Sequence, residues 1–387
     1  MSSHAATSAA AAAVQEGTRP PQPPPQGNGL RAAAAGGGGE GEHRQDRHAE
    51  EDNDDQGQGH CTPAGPYRSA GTLGQQRKAV SSLKFSGNGQ LLASASADTT
   101  ITIWDPIKRK QVRELKGGHT HGVSDVAWAR DTSYLASGAD DKTIRVWDTE
   151  TGQEVGKLLG HTGYVFCVAF NPQGSLLASG SGDENVKLWD LRTGGCLKTL
   201  AAHAEPVTGI DFNGGGTCLL SGSYDGLVRV WDVGMGQCLK TMFAEGSPAV
   251  SRVKWAPNGK YVLVSSLDST VRLWGLRSPS SVVKTYRGHR NKRLCLSAAF
   301  VDVQQQQCVV SGSEDGKIYL WDVQSRNVVQ TLGGHKDAVL SLAVHPSQGV
   351  LASGGTSGDG VIRLWCTEEA TEGGWGGTGS EEMDESA

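Results

Sequence analysis

The side chains in this chain that could do chemistry together are a histidine, an aspartate and a strand serine near a tryptophan. His161, Asp183 and Trp189 mark one such set. In a hydrolase triad the serine attacks, the histidine takes its proton and the aspartate orients the imidazole. A single set of this kind would indicate a Ser-His-Asp hydrolase, because an active site occurs once in a chain.

The same set recurs along the chain, which favours a structural role. Seven tryptophans follow one another at intervals of 42 to 47 residues, and an aspartate precedes each of them by six residues. We expect each repeated His–Asp pair to fix one repeat through buried hydrogen bonds. The predicted structural residues are Asp98, Asp141, Asp183, Asp225, Asp268, Asp315, Asp359, His119, His161, His203, His289 and His335.

Each repeat contains four short β-rich runs separated by turn sequences. In the third repeat the runs cover residues 164–170, 175–179, 186–189 and 196–200. Four strands in a period of about 43 residues are typical of one propeller blade. Helical solenoids are excluded, because no window shows a sustained helical apolar period. The sequence therefore predicts an all-β, seven-bladed β-propeller.

Two dipeptides carry a family resemblance. Gly-His pairs occur at Gly118-His119, Gly160-His161, Gly288-His289 and Gly334-His335, and Trp-Asp pairs at Trp104-Asp105, Trp147-Asp148, Trp189-Asp190, Trp231-Asp232 and Trp321-Asp322. From about residue 72 to 366 the chain resembles the WD-repeat family. That resemblance implies that the histidine bonds the turn aspartate and links to the serine and tryptophan. Gln75-Gln76 and Glu245-Gly246 replace Gly-His, so the first and fifth blades must be held differently.

Composition sets the outer segments apart from the repeats. Residues 1-70 are rich in Ala, Gly, Pro and Gln, and residues 367-387 are acidic and Gly-rich, so we predict disordered tails on both sides of a propeller at 71-366. The net charge of −5 and pI of about 6.1 disfavour direct nucleic-acid binding. No apolar run is long enough to cross a membrane, and the cysteine spacing indicates reduced thiols.

Function in a repeat array lies where the repeats differ. The residue after the one that opens each innermost strand is Ser81, Ser124, Phe166, Thr208, Ser251, Leu296 or Leu340. The residue before each structural aspartate is Ala97, Asp140, Gly182, Tyr224, Leu267, Glu314 or Gly358. These two rings predict a narrow channel mouth with one aromatic wall and two acids. A guanidinium fits such a mouth, although core packing would also explain Phe166.

Longer segments, among them Tyr164-Val-Phe-Cys167 and Ala256-Pro-Asn-Gly-Lys-Tyr261, resemble the WD-repeat scaffold subunits of trithorax/COMPASS-type histone lysine methyltransferase complexes. In that family the channel mouth grips an arginine of a histone tail or of a methyltransferase motif. The resemblance assigns this role to Ala97, Ser124, Asp140, Phe166, Tyr224, Ser251 and Cys295. The family's second clamping ring falls at Ser297 and a rim aromatic at Gly182, which implies a weakened clamp.

The resemblance also implies a groove for a second subunit on the opposite face, between the fifth and sixth blades. The matching positions are Asn258, Tyr261, Leu273 and Gln324. Leu273 alternates with Trp274 along a strand and could equally belong to the core. Tyr261 follows a turn, where an exposed aromatic side chain is harder to explain by packing.

Two function hypotheses follow. The first is a nuclear, non-catalytic scaffold of a histone methyltransferase complex, with a histone tail or arginine-containing peptide and other complex subunits as partners. The second is a WD-repeat adaptor of another assembly, such as a ubiquitin-ligase substrate receptor or an RNA-processing complex, and a cytoplasmic location is compatible with it. No phosphate loop, metal-spaced His/Cys set or lone nucleophile is present, so we expect no enzyme activity, cofactor or metal.

Overall fold

The computed structural model describes residues 66–277, 281–303, 306–371 and 375. Seven antiparallel sheets of four strands each confirm the predicted seven-bladed β-propeller. The strands are rich in β-branched and apolar residues, and the two faces of a blade pack on the blades on either side of it. In β12 (Asn185–Asp190), for example, Val186 and Leu188 are buried whereas Lys187 is partly exposed.

The first four blades each contain four consecutive strands. Blade 1 contains β2 (Val80–Phe85), β3 (Leu92–Ser96), β4 (Ile101–Asp105) and β5 (Lys110–Leu115). Blade 2 contains β6 (Val123–Trp128), β7 (Tyr134–Ala139), β8 (Ile144–Asp148) and β9 (Glu154–Leu158). Blade 3 contains β10 (Val165–Phe170), β11 (Leu176–Ser181), β12 (Asn185–Asp190) and β13 (Gly195–Ala201). Blade 4 contains β14 (Val207–Phe212), β15 (Cys218–Ser223), β16 (Leu227–Asp232) and β17 (Cys238–Phe243).

The last three blades complete the ring. Blade 5 contains β18 (Val250–Trp255), β19 (Tyr261–Ser266), β20 (Thr270–Gly275) and β21 (Ser281–Tyr286). Blade 6 contains β22 (Ala298–Val303), β23 (Gln306–Gly312), β24 (Ile318–Asp322) and β25 (Val328–Leu332). Blade 7 contains β26 (Val339–Val344), β27 (Val350–Gly355) and β28 (Val361–Thr367), and its fourth strand is β1 (Tyr67–Gln75).

The ring closes because the first strand of the chain joins the last blade. β1 pairs antiparallel with β28, with Tyr67 opposite Thr367 and Gln75 opposite Val361. This pairing covers the free edge of blade 7, which would otherwise expose unpaired backbone groups. β1 starts before residue 71, so the predicted boundary of the N-terminal tail falls inside a strand. Residues 1–65 of that predicted tail lie outside the described residues.

The C-terminal segment contains an anchor that composition did not predict. A short helix, α1 (Glu368–Ala370), follows β28. Trp375 is 3% exposed, its indole donates to the side-chain oxygen of Gln348 at 2.6 Å, and Arg109 donates to its carbonyl at 3.1 Å. The predicted disordered tail at 367–387 therefore starts too early, because the buried indole holds Trp375 on blade 7. Residues 372–374 and 376–387 lie outside the described residues.

The core consists of apolar layers between neighbouring blades. One cluster joins Ala136 and Ile144 of blade 2 to Val165, Leu177 and Trp189 of blade 3. Equivalent clusters lie between the other blades, so the tryptophan of each blade packs near the preceding sheet. Such close packing holds the innermost strands at fixed positions around the channel. Among the described residues, no helix is long and apolar enough to cross a membrane.

Candidate functional site

Four blades are closed by a hydrogen-bonded set of histidine, aspartate, serine and tryptophan side chains, here called the staple. In blade 3, Nδ1 of His161 lies 2.8 Å from Oδ2 of Asp183, and its Nε2 lies 2.7 Å from Oγ of Ser179. The Trp189 indole donates to the same hydroxyl at 2.8 Å. The serine is fully buried and shared by two partners, so this set closes a blade. Blades 2, 4 and 7 repeat it around His119, His203 and His335.

The staple also fixes the charge of its aspartate. Burial alone would raise the pKa of Asp183. The hydrogen bonds from His161 and from the backbone N–H groups of Thr162 and Asn185 more than offset that penalty. They hold the pKa of the Asp183 carboxyl well below its usual range. The carboxylate is therefore ionised and hydrogen-bonded at neutral pH.

Blades 1 and 5 lack the histidine, and the structure confirms that they are held differently. In blade 1 the Gln76 amide donates to Ser94 at 2.7 Å, and the Trp104 indole donates to the same oxygen at 2.8 Å. An amide thus replaces the imidazole. In blade 5, Gly246 stands at the histidine position, and Asp268 instead pairs with Arg272.

Blade 6 differs from the prediction for its histidine and aspartate. His289 is buried, yet neither ring nitrogen has a hydrogen-bond partner among the described residues. Asp315 instead accepts a hydrogen bond from the Tyr319 hydroxyl at 2.8 Å, and the Trp321 indole donates to the Arg287 carbonyl at 2.9 Å. Tyr319 stacks on Trp321 at 5.8 Å between ring centroids and takes the place of the staple.

The channel mouth brings Ser124, Asp140 and Phe166 to one rim. The Ser124 hydroxyl donates to Oδ1 of Asp140 at 2.9 Å. Phe166 is partly exposed and stands edge-on to Tyr164 at 6.3 Å between ring centroids. A Cβ at Gly182 would lie 3.3 Å from the Phe166 ring, so the glycine leaves one side of that ring open.

Asp140 is the available acid of this rim. No ion pair of Asp140 occurs within the described residues, and its second carboxylate oxygen accepts no hydrogen bond there. Burial raises the pKa of Asp140, and the hydrogen bond from Ser124 opposes the rise. A cationic ligand would relieve this penalty, because an opposite charge nearby stabilises a partly buried carboxylate.

Glu314, the second acid of the predicted ring, is already bonded. Its Oε1 accepts hydrogen bonds from the backbone N–H groups of Lys292, Arg293 and Leu294 at 2.8, 2.5 and 3.1 Å. The Arg290 guanidinium lies 3.6 Å from its other oxygen. Glu314 therefore holds the loop before blade 6 and has a partner that the sequence did not reveal.

The sixth member of the innermost ring is Ser297 and not Leu296. The hydroxyl of Thr208 donates to the carbonyl of Val250, which opens the next strand, at 2.7 Å. In the same way Ser251 donates to the Leu296 carbonyl at 3.1 Å. Leu296 is fully buried and thus takes the opening position, so the following residue faces the channel. The long loop before blade 6 obscured this register in the sequence.

The remaining residues assigned to the mouth differ in accessibility. The Tyr224 hydroxyl lies 3.1 Å from Sγ of Cys295, so these two side chains are in contact. Ala97 is partly exposed. Ser251 is fully buried, and its hydroxyl already donates to Leu296. The Ser251 hydroxyl proton is therefore already used within the protein and is not available to a ligand.

An ion pair spans the channel. NH1 of Arg252 on β18 lies 3.3 Å from Oδ2 of Asp125 on β6, so the pair joins blades 5 and 2 across the channel. The Ser82 hydroxyl donates to the other carboxylate oxygen at 2.6 Å. Burial opposes both charges. Lys84 and Arg252 nevertheless hold the pKa of Asp125 below its usual range, and Asp125 raises the pKa of Arg252.

The predicted groove residues divide into surface and core. Asn258 and Gln324 are exposed and Tyr261 is partly exposed. The Gln324 amide oxygen accepts a hydrogen bond from Lys284 at 2.9 Å, which joins blades 5 and 6. Leu273 is 4% exposed and packs with Tyr286 and Trp321 in the core, as its alternation with Trp274 allowed. Of the four predicted groove positions, Asn258, Tyr261 and Gln324 therefore reach the surface.

Comparison with known proteins gives the same assignment. The family model described as "WDR5 beta-propeller domain" matches residues 72–366. The chain belongs to the WD-repeat β-propeller family. The match covers all seven blades of this WD-repeat propeller, including those that lack the histidine. Within the described residues, no group of three His, Cys, Asp or Glu side chains could hold a metal ion.

Curated WD-repeat relatives match part of the chain. "WD repeat-containing protein 26 homolog" of Arabidopsis thaliana is 34% identical over 109 residues, which are 28% of this chain and 18% of that protein. "WD repeat domain-containing protein 83" of Homo sapiens is 36% identical over 115 residues, 30% of this chain and 34% of that protein. The Danio rerio protein of that name is 35% identical over 119 residues, 31% and 36% of the two chains. The chain thus spans about a third or less of these relatives.

Proposed function

We propose that this WD-repeat propeller is a non-catalytic protein-interaction scaffold whose channel mouth binds an arginine of a partner peptide. The observation that carries the proposal is Asp140. Its carboxylate forms no ion pair among the described residues, and the partly exposed ring of Phe166 lies on the next blade of the ring. A guanidinium can interact with both groups at once, because it stacks on an aromatic face and donates hydrogen bonds to a carboxylate.

The Arg252–Asp125 ion pair limits how far into the channel a peptide arginine can reach. The Arg252 guanidinium on Asp125 is itself a cation, so a second arginine gains most by staying at the rim, near Asp140. Ser297 supplies no second ring opposite Phe166. The missing ring forfeits about 0.5–2 kcal/mol of cation–π attraction, which is at most roughly thirtyfold in affinity.

For the assembly, we propose a core subunit of a nuclear histone lysine methyltransferase complex. The mouth would take a histone tail or an arginine-containing motif, and the groove of Asn258, Tyr261 and Gln324 would take a second subunit. The match to the WDR5 beta-propeller domain and the exposed groove positions support this choice. Ser297 and Arg252 favour the alternative, an adaptor of another multiprotein complex that has modified the mouth.

Fluorescence anisotropy with a labelled arginine-containing histone-tail peptide tests the mouth. We expect saturable binding by the full chain and a weaker affinity for the same peptide with alanine in place of arginine. Phe166→Ala should weaken the arginine peptide by about 0.5–2 kcal/mol and leave the alanine peptide unchanged. No binding by the folded full chain would refute the arginine mouth and leave the adaptor hypothesis.

The assembly is tested separately by co-purification. Under the first hypothesis the tagged chain should recover histone lysine methyltransferase activity from nuclear extract. Tyr261→Ala should reduce that recovery without changing peptide binding at the mouth, because the two surfaces lie on opposite faces. Stable recovery of a complex without this activity would favour the adaptor alternative.

A further inference from the structure

Three neighbouring loops make one side of the mouth face basic. The loops 287–297, 333–338 and 76–79 lead into blades 6, 7 and 1 and contain four, one and two Lys or Arg residues. Asp337 is the only acid in these three loops, and the equivalent loops before blades 3, 4 and 5 contain no Lys or Arg. The innermost strands of blades 6, 7 and 1 are neighbours around the channel, so the cations form one continuous arc.

Backbone hydrogen bonds place these loops at the same level as Asp140. In blades 1, 2, 6 and 7 a backbone N–H in the turn that carries the rim residue donates to a carbonyl of the loop leading into that blade. The pairs are Ala97 with Ala79, Asp140 with Gly122, Glu314 with Arg290 and Thr356 with Ala338, at 3.0, 3.0, 2.8 and 3.0 Å. The basic loops therefore border the opening that has Asp140 on its blade 2 side.

Most of these cations have no partner of opposite charge. Arg290 lies 3.6 Å from Glu314, and it is the only one of them in an ion pair among the described residues. The other six are exposed and are here called the basic arc: Arg77, Lys78, Arg287, Lys292, Arg293 and Lys336. Six like charges around one side of an opening produce a positive potential that attracts an anionic ligand.

The longest of the three loops is held in place before any ligand binds. Oε1 of Glu314 accepts hydrogen bonds from the backbone N–H groups of three successive loop residues. The Asn291 N–H donates to Oγ of Ser269 at 3.0 Å. The backbone is thus anchored on two blades, while the side chains of Lys292 and Arg293 are exposed. A loop that is already ordered loses less conformational entropy when a ligand binds.

We infer that the basic arc binds glutamate or aspartate residues of the same peptide whose arginine enters the mouth. The inference rests on the proposed arginine mouth and defines its ligand more closely, as a peptide that carries acids within a few residues of its arginine. Asp140 attracts the arginine on the blade 2 side, and the arc attracts the acids on the side of blades 6, 7 and 1. Such a face selects for peptides that carry both charges.

The size of the channel fits one short peptide across this face. Arg252 of blade 5 reaches Asp125 of blade 2 at 3.3 Å, so a single side chain spans most of the channel. An extended peptide advances about 3.3 Å per residue, and a few residues therefore lead from the mouth to the arc. A nucleic acid carries only negative charge, so it would be repelled by Asp140 and by Glu205 and Glu245 in the loops before blades 4 and 5.

Fluorescence anisotropy at low salt compares four labelled peptides on the full chain. One peptide has a central arginine with glutamates a few residues away on both sides, and the others replace the glutamates by glutamine, the arginine by alanine, or both. We expect the glutamates to tighten binding of the arginine peptide by about fivefold or more, and the gain to shrink at high salt. The net charge of the chain, −5, would by itself weaken the acidic peptide.

Variants of the arc locate this gain. Lys292→Gln with Arg293→Gln should reduce the gain from glutamate to below about twofold and leave the affinity for the glutamine peptide unchanged. The matched control, Lys110→Gln with Lys157→Gln, removes two exposed lysines from the outer strands β5 and β9 and should keep the full gain. Thermal unfolding of both double variants shows that they are folded.

The failure of this inference can be distinguished from failure of the mouth. Equal affinities for the glutamate and glutamine peptides would overturn the inference and leave the mouth intact. Equal affinities for the arginine and alanine peptides, with glutamate still preferred, would refute the mouth and support the arc as a site for acidic segments. A gain that survives Lys292→Gln with Arg293→Gln would overturn the inference, as would tighter binding of a labelled single-stranded RNA than of the acidic peptide.

Discussion

Blades 2 to 4 and blades 5 to 6 of this propeller are held by different means. Blades 2, 3 and 4 each close with a His–Asp–Ser–Trp staple, whereas blade 5 lacks the histidine and blade 6 leaves His289 unbonded. The mouth residues Ser124, Asp140 and Phe166 lie on the stapled blades. The groove residues Tyr261 and Gln324 lie on the others. Under the proposed function, the arginine mouth therefore lies on blades that close with a buried hydrogen-bond network, and the predicted groove positions lie on blades held by other contacts.

The cross-channel ion pair joins these two regions, and breaking it should give the largest effect. Arg252→Ala removes the guanidinium that hydrogen-bonds the buried Asp125 carboxylate and leaves the Lys84 amino group 3.9 Å away, which costs about 3–5 kcal/mol of unfolding free energy. Denaturant unfolding measures the loss. Arg252→Met with Asp125→Leu removes both charges and should recover much of the stability. A loss below about 1 kcal/mol for Arg252→Ala would show that the pair does not brace the ring.

The staple itself gives the next largest effect. Asp183→Ala leaves the His161 ring and the Thr162 backbone N–H without their acceptor, so we expect a loss of about 1–3 kcal/mol. Asp315→Ala is the matched variant in blade 6. It removes the bonds from the exposed Tyr319 hydroxyl and the Lys317 backbone N–H but leaves no buried histidine without its acceptor, so its effect should be smaller. Thermal unfolding compares the two. Equal decreases in the unfolding temperature for the two variants would contradict the claim that the stapled blades depend more strongly on their aspartate.

Acid should affect blade 6 first. Burial lowers the pKa of His289 to about 4, against about 6.5 in the unfolded chain. Between these values the unfolded chain binds a proton that the folded chain does not, so stability falls as the pH drops from 6.5 towards 4. The slope reaches at most about 1.4 kcal/mol per pH unit. His289→Gln should reduce the loss of stability measured between pH 6.5 and 4.5. An unchanged pH profile would contradict this assignment.

The features that recur in every repeat could be predicted from the sequence, whereas contacts between distant repeats could not. The Asp-to-Trp spacing predicted seven blades, and the missing histidines at Gln76 and Gly246 predicted the departures in blades 1 and 5. The Arg252–Asp125 pair spans 127 residues, and only ring closure places blade 5 across the channel from blade 2. No local pattern shows that contact.

Irregular loops caused the other errors. The loop before blade 6 shifted the alignment by one residue, so Leu296 was placed where Ser297 faces the channel. The same loop supplies the backbone donors that occupy Glu314. Trp375 lies in a Gly-rich acidic segment, where composition predicted disorder and a single buried indole provides the anchor.

The arginine mouth is the central claim, and its two acids offer the most direct test. Asp140→Asn removes the rim charge that has no cationic partner, whereas Glu314→Gln changes an acid that the backbone already occupies. The dissociation constant of one labelled arginine peptide is measured for the full chain and for both variants. The account predicts a weakening of about tenfold or more for Asp140→Asn, as for loss of a charged hydrogen-bond partner, and little change for Glu314→Gln. Equal affinities for the two variants, at any strength of binding, would contradict it.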